Sequence, residues 1–271
     1  MISFPCAKIN LGLNVISKRE DGYHNIETVF FPVRGLTDIL EIVESDRFSF
    51  AQTGESLDST VENNLCVKAY RILEKDYGLS PVSIFLHKHI PAGAGLGGGS
   101  SDASFTLAAL NRIFGLGLSR EQLISYAAML GSDCAFFIDS VPALASGKGE
   151  LLQPVDPDLS GLNILLVKPD IHVSTKDAYA NIEPQIPCTP VSEIIRLPVE
   201  QWKNQLRNDF EKSIFLLHPA IAAIKEEMYR QGALYASMSG SGASVFGLFD
   251  GRKPLESTRF QKMRNVWIRW V

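Results

Sequence analysis

From Ala7 to Ile16 apolar and polar positions alternate. Ile9, Leu11, Leu13 and Val15 fall on one side, Lys8, Asn10, Gly12 and Asn14 on the other. A period of two predicts a half-buried strand with Lys8 and Asn10 together on its polar face. Asp21-Gly22 predicts a hairpin turn into a second strand over HNIETVFFPV, with Tyr23 and His24 at its start. The period then becomes helical over 61–77, where Leu65, Ala69, Ile72 and Leu73 form one stripe. VSIFLHK at 82–88 predicts another strand, ended by Pro91. A glycine-rich stretch, PAGAGLGGGSSDA, runs from there into a helix carrying Ala103, Leu107, Leu110 and Phe114 on one face. Ser119 and Gln122 form a capping box that opens a further helix over 119–130.

Gly, Pro and Asp accumulate around 147–162, which places a domain boundary there and divides the chain into 1–152 and 153–271. Beyond it NILLVK at 163–168 predicts a strand, 219–231 a helix, and the segment 234–249 a glycine–serine loop feeding the strand VFGLF. Asp250-Gly251 predicts a turn before a weakly patterned tail. The whole reads as a mixed, α+β protein of two domains.

Composition adds exclusions. The chain has 271 residues, 45% of them hydrophobic and 21% charged, enough to bury a core without disulfides or metals. A formal net charge of -4 without a Lys/Arg-rich stretch argues against nucleic acid as a partner. Cys6, Cys66, Cys134 and Cys188 are scattered, with no zinc-type spacing, so free thiols in a reducing compartment and no metal-ligand set are expected. No apolar run reaches the roughly 18–20 residues of a membrane helix, and residues 1–7 do not read as a leader. The expected setting is therefore cytoplasmic.

The densest chemistry lies at Gly93, Gly95, Leu96, Gly97, Gly98, Gly99, Ser100 and Ser101. Glycines let backbone N–H groups approach an anion, and the helix that follows adds unpaired donors and a partial positive charge. Phosphate is the natural ligand. Helix capping is the plain alternative for each serine. No Lys follows the glycines as a P-loop requires, and no second strand ending in an acid follows as a dinucleotide site requires. Asp133, in Gly131-Ser132-Asp133, has two readings: the N-cap of the next helix, or a general base facing a hydroxyl. Lys8 is either a surface lysine or a charge that steadies an alkoxide. Asp102 is a second carboxylate beside the loop with no assigned role.

Taken in order, these motifs resemble the GHMP kinases. The loop at 93–103 is similar to their phosphate-binding motif, and Ser239-Gly240-Ser241-Gly242-Ala243 to their C-terminal glycine motif. Ala7-Lys8-Ile9-Asn10-Leu11, Asp21-Gly22-Tyr23-His24, GLGGGSSDA and Gly131-Ser132-Asp133 are similar to the branch acting on a cytidine-diphosphate methylerythritol in non-mevalonate isoprenoid synthesis. The resemblance implies an S5-like N-terminal domain, a ferredoxin-like C-terminal domain and an active site in the cleft between them. It implies ATP as co-substrate with Mg²⁺, Asp133 as base and Lys8 as its electrostatic partner. Asn10, Tyr23, His24 and Tyr179 become substrate contacts, while Lys88, Gly240, Ser241 and Gly242 join the glycine loop at ATP. A small-molecule substrate and a monomer or weak homodimer are expected. A homoserine- or mevalonate-type kinase is the first alternative, and a non-catalytic nucleotide- or RNA-binding protein the second.

Overall fold

The computed structural model describes residues 1–55, 60–180, 182–253 and 260, together with the backbone of 266–270. Its strands are β1 (Ile2–Ser3), β2 (Cys6–Lys18), β3 (His24–Thr37), β4 (Ile39–Glu44), β5 (Ser49–Gly54) and β6 (Val82–Lys88), then β7 (Ala143–Ser146), β8 (Leu151–Pro154), β9 (Leu162–Val167), β10 (Tyr235–Met238), β11 (Val245–Asp250) and β12 (Val266–Trp270). Its helices are α1 (Leu65–Tyr77), α2 (Gly98–Ile113), α3 (Arg120–Leu130), α4 (Cys134–Asp139), α5 (Thr175–Ala180), α6 (Val191–Ile194), α7 (Glu211–Leu217) and α8 (Pro219–Arg230). Two compact units form. The first comprises 1–8, 32–92 and 97–141; the second comprises 9–31, 93–96 and 142–271.

In the first unit a sheet ordered β1-β4-β6-β5 packs on α2 and shares one core with α1, α3 and α4. β4 and β6 run antiparallel, β5 and β6 parallel. Leu40, Ile42, Ile84 and Leu86 from the strands meet Tyr70, Leu73, Leu107 and Leu110 from the helices in one dry cluster. Local chemistry starts and stops these helices. The Asn64 side chain accepts from Cys66 N at 2.9 Å to open α1, and Gly78 closes it in the left-handed region. α3 opens with the reciprocal Ser119–Gln122 capping box that the sequence predicts.

In the second unit β10-β11-β9-β12 form an antiparallel sheet. Its core joins Leu165, Val167 and Val245 to Ile214, Ile221, Ile224 and Met228 of α7 and α8. A third sheet is ordered β2-β3-β7-β8, and its long first hairpin supplies residues to both units.

The strand expected from 7 to 16 is present, but it is not half-buried: every residue from Cys6 to Val15 is buried, Lys8, Asn10 and Asn14 included. Polar side chains survive there because they are partnered. Asn10 Nδ2 donates to Thr28 Oγ1 at 3.0 Å, and Lys8 Nζ lies 3.3 Å from Asp133 Oδ2. Periodicity also gives no signal for β1, β4, β5, β7, β8, β10 and β12, or for α5 to α7. The turn at Asp250-Gly251 is closed by Lys253 N donating to Asp250 O. The tail beyond it lies mostly outside the described residues, but 266–270 form β12 against β9. All four cysteines are free thiols, Cys188 alone exposed. Among the described residues no helix is long and apolar enough to cross a membrane.

Leu107 is fully buried between α2 and its neighbours. Leu107→Ala is expected to lower unfolding free energy by about 2–5 kcal/mol, read from urea denaturation of the full chain.

Candidate active site

The glycine stretch changes allegiance part-way, with 93–96 belonging to the second unit and the chain from Gly97 onward to the first. At Gly97 the backbone takes φ +71° and ends the loop as the N-cap of α2. A Cβ there would come within 2.8 Å of the Phe137 ring, so close packing and left-handed geometry both select glycine. The first intrahelical bond is Ser101 N to Gly97 O at 2.9 Å. The N–H groups of Gly98, Gly99 and Ser100 therefore precede the ladder, as an anion site requires. Neither serine caps the helix. Both lie inside its first turn, and Ser101 Oγ is buried without a protein partner.

Beneath that turn sits a buried cluster of three ionisable side chains. Lys88 Nζ, at the end of β6, lies 2.5 Å from Asp38 Oδ2 and 2.7 Å from Asp102 Oδ2 of α2. Asp38 Oδ1 also accepts from the backbone N–H groups of His89 and Ile90, at 2.6 and 2.9 Å. Burial pushes the Asp102 carboxyl up to about 8; the Lys88 charge opposes that rise and the Asp38 charge adds to it. Burial pulls the Lys88 ammonium down, but Asp102 and Asp38 together outweigh it and its pKa is raised. Lys88 is 2% exposed, so its charge is committed to these two aspartates beneath the loop.

Asp133 occupies the N-cap position of α4, yet its side chain makes no cap bond there. Instead its Oδ2 faces Lys8 Nζ at 3.3 Å. The Lys8 side chain is 4% exposed and that of Asp133 is 32% exposed, so the pair presents a carboxylate to solvent with a buried cation behind it. Two residues far apart in sequence thus meet within the first unit, and the capping reading of Asp133 fails.

The second unit carries the other predicted residues. Gly95, at φ +75°, approaches Ser239 so closely that a Cβ would collide with the Ser239 carbonyl. Ser239 Oγ donates to Gly95 O at 2.9 Å, and Ser244 N to Ala94 O at 3.3 Å, joining the two glycine loops. Ser241 Oγ lies 3.4 Å from Thr175 Oγ1. Asn208, which sequence reading missed, donates from Nδ2 to both Met238 O and Gly240 O at 2.8 Å and holds the C-terminal loop from below. Asp38 was missed as well; a lone Asn or Asp outside any motif carries no local signal. His24 stacks on Tyr179 with centroids 4.7 Å apart and planes at 18°. Tyr179 in turn meets Phe210 edge-on at 4.7 Å. Tyr23 is 58% exposed, with Lys148 Nζ 4.8 Å from its ring centroid. Burial, then the Lys18 charge, holds His24 below the usual imidazole range, favouring a neutral ring with one donor and one acceptor.

A raised Asp102 carboxyl means the folded state keeps a proton that the unfolded chain releases near 3.8. Between about 4 and 8 the folded form binds more protons, so this group makes stability fall as pH rises. Asp102→Asn is expected to flatten the stability–pH profile across that window, measured by urea midpoints at its two ends.

With this geometry in place, comparison with known proteins is specific. The model of the GHMP kinases N terminal domain matches residues 64–147, and that of the GHMP kinases C terminal matches 192–260. A protein of Bacteroides thetaiotaomicron named 4-diphosphocytidyl-2-C-methyl-D-erythritol kinase is 55% identical over 262 residues, 95% of each chain. A protein of the same name from Bacteroides fragilis strain YCH46 is 53% identical over 265 residues, 96% of each chain. The crystal structure of a 4-(cytidine 5'-diphospho)-2C-methyl-D-erythritol kinase superposes with a TM-score of 0.84 at 31% identity, covering 99% of this chain and 98% of that one. Mixed helices and strands, two glycine loops and matches at this level over nearly the whole length lead to one conclusion: the chain belongs to the GHMP kinase family and has its two-domain fold.

Proposed function

We propose that the protein transfers the γ-phosphoryl group of ATP to the 2-hydroxyl of 4-diphosphocytidyl-2-C-methyl-D-erythritol, a step in non-mevalonate isoprenoid precursor synthesis. The observation that carries the chemistry is the Lys8–Asp133 pair, a half-exposed carboxylate backed by a buried ammonium at 3.3 Å. The name shared by the full-length relatives supports the choice of substrate.

Phosphoryl transfer asks the protein to align two reactants and spread negative charge, with little covalent work. Asp133 accepts the proton of the attacking hydroxyl, and the Lys8 charge stabilises the alkoxide that develops. The N–H groups of Gly98, Gly99 and Ser100 and the positive end of α2 receive phosphate oxygens, while Gly93, Gly95, Leu96, Gly97 and Ser101 shape the loop. Gly240, Ser241 and Gly242 complete the nucleotide site. Lys88 contributes from below by fixing the start of α2 through Asp102. Asn10, held by Thr28, orients the acceptor. Tyr23, His24 and Tyr179 supply flat faces and a neutral imidazole edge for the cytosine.

Mg²⁺ enters as part of the nucleotide substrate. Among the described residues no three His, Cys, Asp or Glu side chains converge as a metal cage. Asp102, the carboxylate nearest the glycine loop in sequence, is 2% exposed and already bonded to Lys88. That donor set fits a hydrated ion held mainly by phosphates, which is the usual habit of Mg²⁺. The reading includes a cytoplasmic enzyme, monomeric or weakly dimeric, with its domains divided near residue 152.

Two measurements test the proposal. ATP consumption with Mg²⁺ is expected with the cytidine-diphosphate methylerythritol and not with homoserine or mevalonate; turnover confined to either of the latter would overturn the substrate assignment. Asp133→Asn is expected to lower kcat by roughly 10²–10⁴, measured on protein shown to be folded by its circular dichroism. Near-normal turnover in that variant would remove Asp133 from the base role.

A further inference from the structure

On the outer face of the first sheet, with side chains turned away from the buried Lys88 cluster, two histidines stand side by side. Strand alternation points Lys88 into the core and turns His87 and His89 to solvent. Their Nε2 atoms approach to 3.1 Å, with ring centroids 4.5 Å apart and planes crossing at 84°. The remaining nitrogen of each ring faces an oxygen. His87 Nδ1 lies 2.7 Å from Thr53 Oγ1, its register partner on β5, and His89 Nδ1 lies 3.3 Å from Thr37 O.

These outer partners decide the tautomers. A carbonyl only accepts, so His89 carries its proton on Nδ1 and turns a bare Nε2 lone pair toward His87. Thr53 leaves His87 a choice, since a hydroxyl both donates and accepts. In one arrangement His87 Nε2–H donates to His89. In the other the His87 proton resides on Nδ1 and is donated to Thr53 Oγ1, and two Nε2 lone pairs then converge on one point. Metal-bound imidazoles have this second form, with the distal N–H tied to a protein oxygen. The spacing also fits. Two metal–nitrogen bonds of about 2.0–2.1 Å that span 3.1 Å enclose an angle of about 95–102°, between octahedral and tetrahedral values.

We propose that His87 and His89 form a bidentate surface site for a borderline divalent ion, Zn²⁺, Ni²⁺ or Cu²⁺, that is independent of phosphoryl transfer. Imidazole suits these ions, and Mg²⁺ prefers oxygen. Among the described residues no third His, Cys, Asp or Glu completes the set, so water fills the other positions. Binding takes two neutral imidazoles and needs one internal change, the His87 proton moving from Nε2 to Nδ1, with no net proton released.

The test is calorimetric titration of the untagged full chain with NiCl₂ and with ZnCl₂ in a non-chelating buffer, alongside His87→Ala, His89→Ala and Thr53→Val. One ion per chain is expected for the parent, with saturable binding abolished in each histidine variant. Thr53→Val is expected to weaken affinity roughly 10-fold, the lower end of the effect of losing an outer-shell partner. Unchanged melting temperatures and unchanged MgATP turnover in the histidine variants separate this site from the kinase reading. Absence of saturable binding in the parent, or its persistence in either histidine variant, overturns the site. Unaltered affinity in Thr53→Val overturns the assigned tautomer.

Discussion

Burying the Lys88 ammonium is the constraint around which the first unit is arranged. A charge at 2% exposure is tolerable only when paired and hydrogen-bonded, and here the carboxyl groups of two aspartates from different elements meet it. Asp38 comes from the chain between β3 and β4 and also takes the N–H groups of His89 and Ile90. Asp102 comes from the first turns of α2. The end of β6 and the beginning of α2 are thereby tied to the same cation, and the glycine stretch is strung between two fixed points. A phosphate loop built almost without side chains has little of its own to hold its shape. Its rigidity is borrowed from the charges underneath.

The second unit solves the same problem with neutral groups. Its C-terminal glycine loop rests on the Asn208 amide, which donates to two carbonyls, and on the close passage of Gly95 past Ser239. An amide can bridge two backbone oxygens in the dry interior without the desolvation cost of a full charge.

Much of this was legible in the chain and some was not, for definite reasons. The hairpin of β2 and β3, the glycine-to-helix junction and the capping box of α3 declare themselves through period, turn chemistry and cap residues acting over a few positions. What depends on distant residues was hidden. The alternation at 7–16 predicts a wet face, but Asn10 meets Thr28 and Lys8 meets Asp133, so both polar residues are buried. Local sequence favours Asp133 as a cap, whereas its carboxylate answers to a lysine on the distant strand β2. Ser100 and Ser101 look like caps because Ser is common there, but Gly97 already ends the loop in a left-handed turn. Asp38 and Asn208 belong to no motif, so only the fold reveals them.

The position of β12 has a consequence for how the chain is made. β9 reads LNILLV, is buried along nearly its whole length, and pairs with β11 on one side and β12 on the other. β12 lies far downstream of β9 in the sequence. During synthesis β9 emerges well before β12, and one row of its backbone donors and acceptors then waits for the intervening chain to follow. An apolar strand with a bare edge is the kind of surface on which chains associate wrongly. Residues 266–270 therefore act as a built-in guard over the edge of β9, one that takes its post only after the chain between the two strands has been made.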